Sequence, residues 1–307
     1  MNESTREVHV VHTGCVHGFF TDLIEDLNTI NEQKPIDLVL ITGDVGCFRD
    51  EEDLKGLSAP EKYHSVGTFK DEMDNLPYPI IFISGNHEPM NYLLEHKYGG
   101  ELYPNFFYMG RCGAMTFKGV HIVGMSGIHY ADHFSWPLLE EPPLNRDEEE
   151  LYSSYHTRKW QFEALKEYCS RNKRKIDVFM THDWPDFIEN KEKASHTSRL
   201  KRKLDLHNAA ATELFENHIR SDYYFAAHMH IAHFCFHKET NAKFAATTKY
   251  RENFKGKRIG RTIKSQTLIV EEQLFNTTQE FEFDPLWLEV LDEWRAYEKI
   301  EVSDYPN

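Results

Sequence analysis

The sequence predicts an α/β fold in which two β-sheets pack face to face and helices flank them. Three observations lead to this prediction: short apolar runs, helical patterns between the runs, and polar clusters where the runs end. Apolar runs without alternation are typical of strands buried on both faces, and such strands need a sheet that helices cover. The alternation of runs and helical patterns therefore favours a two-sheet sandwich with outer helices.

Six runs rich in β-branched and aromatic residues lie at residues 8–12, 37–42, 80–84, 120–125, 177–181 and 223–227. Three later runs, at residues 234–237, 243–248 and 267–270, are also predicted to be strands.

The predicted helices lie between and after these strands. Residues 19–33 and 148–171 carry apolar residues at spacings of three and four, which is typical of a helix with one buried face. A third helix is expected at 210–219, after Asn208 as N-cap, and Asp284 with Pro285 opens a final one. Residues 126–147 contain three prolines and no periodicity, so a long functional loop is expected there.

Composition narrows the function classes. The chain has 307 residues, 18 histidines, five cysteines and a formal net charge of −15. No apolar run approaches the roughly 18 residues of a membrane span, and the polar start lacks the apolar stretch of a signal peptide. The odd, widely spaced cysteines argue against a disulfide framework. The acidic charge argues against a broad basic face that binds nucleic acid irrespective of its sequence.

Five of the predicted strands end in a polar cluster. The clusters read Gly-Cys-Val-His-Gly at 14–18, Gly-Asp-Val-Gly at 43–46, Gly-Asn-His-Glu at 85–88, Thr-His-Asp-Trp-Pro at 181–185 and Ala-His-Met-His at 227–230. Because ligands of α/β sheets gather at the carboxyl ends of the strands, we expect all five clusters to converge on one site.

These residue types suit a metal centre. Imidazole, thiolate and carboxylate groups bind zinc or iron, and a carboxylate such as that of Asp44 has two oxygens that can bridge two ions. Two neighbouring ions activate water and stabilise the charge of a phosphoryl-transfer transition state. A single histidine is more often an ordinary structural or surface residue, and the histidines outside the clusters are interpreted that way. Five clusters in this order make coincidence improbable.

At these clusters the chain resembles the calcineurin-like metallophosphoesterases. That family reads D-x-H, G-D, G-N-H-[DE], a lone His and G-H-x-H. This sequence departs from the pattern in two places, with Cys15 where the family has Asp and Ala227 where it has Gly.

The cysteine is similar to the first motif of one subfamily, the RNA lariat debranching enzymes. The likeness extends to six further motifs, which lie at residues 57–63, 98–100, 104–110, 124–128, 154–158 and 182–185. It covers roughly residues 8–294.

This resemblance implies a 2′–5′ phosphodiesterase that linearises excised intron lariats. It implies two divalent ions, expected to be Fe(II) and/or Zn(II), for which Mn(II) can substitute. The implied ligands are Cys15, His17, Asp44, Asn86, His182, His228 and His230. His87 is implied as the catalytic residue that stabilises charge or protonates the leaving 2′ oxygen.

The resemblance also implies a domain organisation. Residues 1–126 and 159–272 would form the metallophosphoesterase core, 127–158 an inserted lariat recognition loop, and 273–307 a short C-terminal extension. The residues implied to contact RNA are Lys62, Tyr63, His129, Tyr130, Tyr155, His156 and Arg158. The acidic run at 147–150 would repel RNA, or it is simply the solvated first turn of the helix that follows.

Partners and location follow from the same resemblance. Branched RNA is the expected partner, spliceosome-associated proteins are further candidates, no membrane contact is expected, and the chain is expected to be a monomer. The expected location is the nucleus, with the cytoplasm in addition. Two other functions stay open: a metallophosphodiesterase for another 2′–5′ or cyclic nucleotide, and a non-catalytic protein that binds branch points.

Overall fold

The computed structural model describes residues 5–59, 64–73, 76–136, 142–144, 149–188, 207–249, 264–271 and 281–301. The strands are β1 Thr5–Thr13, β2 Leu38–Thr42, β3 Ile80–Ile83, β4 Gly100–Tyr103, β5 Phe106–Tyr108, β6 Cys112–Phe117, β7 Val120–Met125, β8 Val178–Thr181, β9 Tyr223–Ala226, β10 His233–Phe236, β11 Lys243–Ala246, β12 Lys264–Glu271 and β13 Glu282–Phe283. The helices are α1 Phe20–Gln33, α2 Phe69–Met73, α3 Met90–Glu95, α4 Ala131–Phe134, α5 Glu149–Ser154, α6 Lys159–Arg171, α7 Ala209–Leu214 and α8 Pro285–Glu301.

The strands form two mixed sheets. The first has the order β12-β1-β2-β3-β5-β4 and the second the order β10-β11-β9-β8-β7-β6-β13. In the first sheet β1, β2, β3 and β5 are parallel, and in the second β7, β8, β9 and β11 are parallel. The carboxyl ends of the parallel strands therefore share one edge in each sheet.

Three hydrophobic clusters define the layers. One cluster joins the two sheets through buried residues such as Leu40 and Phe225. A second packs α1 and α2 on the first sheet, and a third packs α6, α7 and α8 on the second. The prediction of a two-sheet sandwich with outer helices is therefore confirmed.

The prediction of one continuous helix over residues 148–171 is wrong. The segment forms two helices, α5 and α6, because the residues between them are extended: His156 forms a bridge with Ile128, and Arg158 has φ −107° and ψ 154°. Strands β4, β5 and β6 and the short helices α2 and α3 were not among the predicted elements. The short 3- to 6-residue runs involved carry too little periodicity to identify a structure.

Two predicted helix starts are confirmed. The Asn208 side chain accepts a hydrogen bond from the Ala211 N–H at 2.9 Å, and the Leu286 N–H donates to Asp284 at 2.9 Å. Helix α8 packs in the cluster on the second sheet, where Trp287 is fully buried. Within the described residues, no helix is long and apolar enough to cross a membrane.

Candidate metal centre

The five polar clusters follow β1, β2 and β3 of the first sheet and β8 and β9 of the second. Two groups of potential ligands result: Cys15, His17, Asp44 and His230 in one, and Asp44, His182 and His228 in the other. Within each group the ligand atoms all lie within 4.8 Å of one another. The packing of the sheets thus brings together residues that are far apart in the chain.

The first group surrounds one oxygen of Asp44. Asp44 Oδ2 is 3.8 Å from His17 Nε2 and 3.9 Å from Cys15 Sγ. His17 Nε2 and His230 Nε2 are 3.3 Å apart. Two nitrogens bound to one tetrahedral zinc ion at 2.0–2.1 Å would be about 3.4 Å apart, so this spacing suits a shared ion.

The second group surrounds the other oxygen. Asp44 Oδ1 is 3.3 Å from His182 Nε2, and this nitrogen is 3.2 Å from His228 Nδ1. Asp44 is therefore common to both groups and presents a different oxygen to each, as a bridging carboxylate does.

Asn86 and His87 adjoin the same carboxylate. Their backbone N–H groups donate to Asp44 Oδ1 at 2.9 and 2.8 Å. Asn86 Oδ1 is buried and has no hydrogen-bond partner among the described residues, which suits a metal ligand. The His87 ring lies 5.3 Å from the His17 ring and belongs to neither ligand group, and its catalytic role stays a prediction.

Several potential ligands have left-handed backbone conformations. Cys15, His17, Asp44, His228 and His230 have φ between 50° and 59°. A non-glycine residue rarely adopts this conformation, and such strain is found mainly at functional sites, where the surrounding structure holds it. This observation supports a functional reading of the two groups independently of their residue types.

Two glycines and one glutamate position the loops. A Cβ at Gly43 or Gly85 would collide with the ring of His182 or with Asp44 Oδ1, so only glycine allows this approach. The fully buried Glu88 carboxylate accepts the N–H groups of Val45, Gly46 and Gly85 at 2.9–3.1 Å. Glu88 thereby ties the second cluster to the third.

The electrostatics of the site centre on Asp44. Burial by itself would raise the pKa of this carboxyl, but the facing His182 holds it well below its ordinary value. Burial opposes protonation of His182, but the Asp44 charge outweighs burial and raises its pKa to about 9. Burial lowers the pKa of His17 to about 4, against the attraction of Asp44. The site therefore keeps Asp44 ionised, and the proton on His182 balances its charge, so a bound cation would displace that proton.

The donor set fits divalent ions. Thiol, imidazole, carboxylate and amide oxygen donors converge, and the Asn86 oxygen has no partner in the described parts of the chain. Soft and borderline ions such as Zn(II) and Fe(II) accept this mixture. The site residues fit the two ions that the sequence predicted.

The sequence predicted no role for two residues that lie near the site. Asp183 is buried, and its Oδ2 accepts the backbone N–H of His129 while its Oδ1 lies 3.8 Å from His228 Nε2. Burial raises the pKa of Asp183 to about 7. Lys249 follows β11 at the same edge of the second sheet, and its positive charge acts on His17. No motif marks Lys249, whereas the position of Asp183 beside His182 was a usable signal.

The residues predicted to contact RNA differ in how far they are exposed to solvent. Lys62 and Tyr63 lie outside the described residues. His129 is half-buried and Tyr130 is 37% exposed, whereas Tyr155, His156 and Arg158 are 4%, 1% and 0% exposed. The Arg158 guanidinium donates to the His156 carbonyl at 3.4 Å. These three side chains therefore have an evident structural role, and their contact with RNA stays a prediction.

The surface of the 127–158 loop nevertheless presents aromatic rings. Tyr130, Trp136 and Tyr152 are 37–44% exposed, and the Tyr130 ring stacks on His156 at 5.1 Å. Of the acidic run, Glu149 and Glu150 are exposed in the first turn of α5, where acidic side chains are favourable. This favours the interpretation of these two residues as a solvated helix start.

The loop is anchored beside the ligand groups. The Gly127 N–H donates to the Ser84 carbonyl at 2.9 Å, just before the third cluster. The Ile128 N–H donates to the Tyr155 carbonyl at 3.2 Å, and the Ile128 carbonyl accepts the Thr157 N–H at 2.9 Å. The two ends of the loop therefore pair.

Comparison with known proteins gave one family match. Residues 8–232, well over half of the chain, match the family model described as calcineurin-like phosphoesterase.

Similar curated proteins are lariat debranching enzymes. Those of Danio rerio, Xenopus laevis (enzyme A) and Homo sapiens are each 34% identical to this chain, over 91%, 77% and 81% of it. The matched parts cover 50%, 46% and 45% of these proteins. The chain thus spans about half the length of the curated relatives it matches.

Proposed function

Because the chain belongs to the calcineurin-like phosphoesterase family, we propose that it is a lariat debranching enzyme, which hydrolyses the 2′–5′ phosphodiester bond at the branch point of excised intron lariats. The products are linear RNA with a 5′-phosphate and a free 2′-OH at the branch nucleotide. Similarity to the three curated relatives supports this substrate. The observation that carries the proposal is the anchoring of an aromatic loop, through Gly127 and Ser84, directly beside two adjoining ligand groups.

We propose Fe(II) and/or Zn(II) as the resident ions, with Mn(II) as a substitute. The first ion would be held by Cys15, His17, Asp44 and His230, and the second by Asp44, Asn86, His182 and His228. Bound there, the ions would activate water and neutralise charge on the phosphoryl oxygens. The soft thiol of Cys15 favours iron or zinc over magnesium.

The protein's own side chains have the remaining roles, which are proton donation, positioning of the loops and base stacking. His87 lies next to the ligand groups without joining them, so its imidazole can donate a proton to the leaving 2′ oxygen. Glu88 fixes the loops that carry Asp44 and Asn86. The exposed rings of Tyr130, Trp136 and Tyr152 offer surfaces on which bases stack without any need for positive charge.

We expect the protein to act as a monomer on branched RNA in the nucleus, and also in the cytoplasm, with spliceosome-associated proteins as further partners. A net charge of −15 supports recognition of the branch point itself, with weak binding of long RNA.

One observation favours a second candidate function. Glu149 and Glu150 are exposed on the loop and would repel a polyanion. A smaller 2′–5′ or cyclic nucleotide would avoid this repulsion, so another metallophosphodiesterase activity is the alternative.

A cleavage assay separates the candidates. Purified protein, loaded anaerobically with Fe(II), Zn(II) or Mn(II), would be given a branched RNA, a linear RNA, a cyclic nucleotide and bis(4-nitrophenyl) phosphate. We expect cleavage at the 2′–5′ bond of branched RNA and no cleavage of linear RNA. Preferred turnover of the cyclic nucleotide would support the alternative, and metal-independent binding without cleavage would identify a non-catalytic protein.

A further inference from the structure

We propose that Asp183 is a positioning residue that links the base of the 127–158 loop to the metal ligand His228. The two oxygens of this carboxylate contact different parts of the protein, so RNA held by the loop and an ion held by the second ligand group should strengthen each other's binding. The RNA half of this inference rests on the proposed function, and the metal half does not.

The turn that carries Asp183 is fixed against the segment that carries His228. The Ala227 N–H donates to the His182 carbonyl at 3.0 Å, and the Trp184 indole N–H donates to the Ala227 carbonyl at 2.7 Å. Both contacts are buried. The side chain of Asp183 therefore has little freedom relative to the neighbouring imidazole.

One oxygen of Asp183 is directed towards the metal ligand. Asp183 Oδ1 is 3.8 Å from His228 Nε2, and it is buried without a hydrogen-bond partner among the described residues. The other nitrogen of the same ring, Nδ1, lies 3.2 Å from His182 Nε2. An imidazole that binds an ion through Nδ1 carries its proton on Nε2, and a carboxylate facing that proton fixes the orientation of the ring.

The other oxygen holds the loop. Asp183 Oδ2 accepts the backbone N–H of His129. His129 directly follows Ile128, whose carbonyl accepts the Thr157 N–H at 2.9 Å where the ends of the loop pair. A shift of this segment would therefore move the carboxylate on which the orientation of His228 depends.

This arrangement makes the coupling reciprocal. If RNA orders the base of the loop, it also fixes Asp183 and favours the ring orientation that binds the ion. By linkage, an ion bound to His228 must then favour RNA binding by the same factor.

The test measures Zn(II) affinity of the metal-free full chain against a chromophoric chelator. It is run with and without a branched RNA whose 2′–5′ linkage is a non-hydrolysable methylene phosphonate. For the wild type we expect the RNA to tighten Zn(II) binding by about tenfold. For Asp183→Asn we expect Zn(II) affinity to fall by about 10–100-fold and the tightening by RNA to disappear. Asp222→Asn is the matched control, since Asp222 pairs with Lys175 at the start of β9, the end of that strand remote from the site, and it should keep both values.

Several results would overturn the inference. Wild-type Zn(II) affinity in Asp183→Asn would exclude the link to His228, and retained tightening by RNA in that variant would exclude the link to the loop. If the wild type binds no branched RNA while Asp183→Asn still loses Zn(II), the proposed function fails and the metal half stands.

If Asp183→Asn does not fold, a measurement on the wild type still tests the proposal. Zn(II) binding should slow hydrogen exchange of the His129 backbone amide by roughly fivefold or more, because it fixes the acceptor of that amide. An exchange rate that Zn(II) leaves unchanged would contradict the proposal.

Discussion

Asp44 Oδ1 lies 3.3 Å from His182 Nε2, and this contact joins the two sheets of the sandwich, because Asp44 follows β2 in the first sheet and His182 follows β8 in the second. The same carboxylate turns its other oxygen towards Cys15 and His17. The candidate metal centre therefore lies at the interface between the sheets, and neither sheet contains it alone.

Asp44→Asn should remove the ligand that both groups share. We expect loss of bound metal and a fall in phosphodiester hydrolysis of about a thousandfold, since the ions contribute several kcal/mol to transition-state stabilisation. Metal content by mass spectrometry and a hydrolysis assay check this. Asp50→Asn, at an exposed carboxylate outside both groups, is the control. An Asp44→Asn protein that keeps its metal would refute the bridging role.

Replacing Cys15 should change the metal preference. Cys15→Ser should lower activity, because a hydroxyl binds zinc and iron more weakly than a thiolate. Cys15→Asp installs the residue usual in the family, and Asp tolerates the φ of 52° found here. We expect its activity to shift from Zn(II) or Fe(II) towards Mn(II) and Mg(II). The same order of metals in Cys15→Asp and the wild type would argue against thiolate ligation.

His87→Ala should separate catalysis from metal binding. Loss of a positioned acid lowers the rate by about 10²–10⁴-fold, whereas metal content should stay at the wild-type value because His87 belongs to neither ligand group. His218→Ala, on the turn after α7, serves as the control. Loss of metal from His87→Ala would show that the residue is a ligand.

Lys249→Ala should weaken substrate binding. Lys249 is a cationic side chain whose charge reaches His17, and a hydrogen bond to a phosphate oxygen would be worth about 1.5–3 kcal/mol. We expect KM for branched RNA to rise by about 10–150-fold with little change in kcat. Lys243→Ala, at the opposite end of β11, should leave KM unchanged. Equal effects of the two variants would mean that only overall charge matters.

Asp177→Asn should stabilise the fold in a pH-dependent way. Burial raises the pKa of Asp177 from 3.8 to about 6, so the folded state favours the protonated form. Relative to the unfolded chain this preference is fully present below pH 3.8 and is lost as the pH rises through 6. Asn accepts the same hydrogen bond from the His121 N–H.

We therefore expect Asp177→Asn to raise the free energy of unfolding at pH 7.5 by on the order of 1–2 kcal/mol, and by less at pH 5. Urea unfolding of the metal-free protein at both pH values measures this difference. A gain that is the same at both pH values would show that the charge of Asp177 is not its cause.

The strands and the polar clusters at their ends could be predicted from the sequence, because each depends on a few neighbouring residues. A buried parallel strand needs a continuous apolar run, and a turn at its carboxyl end needs small or polar residues, so β2, β3, β7, β8 and β9 begin or end within a residue of their predicted bounds. The candidate ligands were found for the same reason, since each stands in a cluster directly after a strand. Resemblance to a known family then assigned roles that spacing alone left open.

The break in the helix predicted over residues 148–171 could not be predicted from neighbouring residues in the sequence. The apolar spacing is helical on both sides of the break, and only the pairing of His156 with Ile128 makes the middle extended. The same packing buries Tyr155, His156 and Arg158, for which the resemblance to the debranching enzymes implies RNA contact.

The sequence by itself predicted which residues would carry the chemistry and determined in what order they follow the strands. Tertiary structure alone decided which oxygen of Asp44 faces which ligand group, and that Asp183 lies between His129 and His228. It also imposed left-handed conformations, which non-glycine residues rarely adopt, on candidate ligands such as Cys15 and His230. The physical reason is that these features depend on how two separately formed sheets pack, and the free energy of that packing is distributed over the whole interface between them.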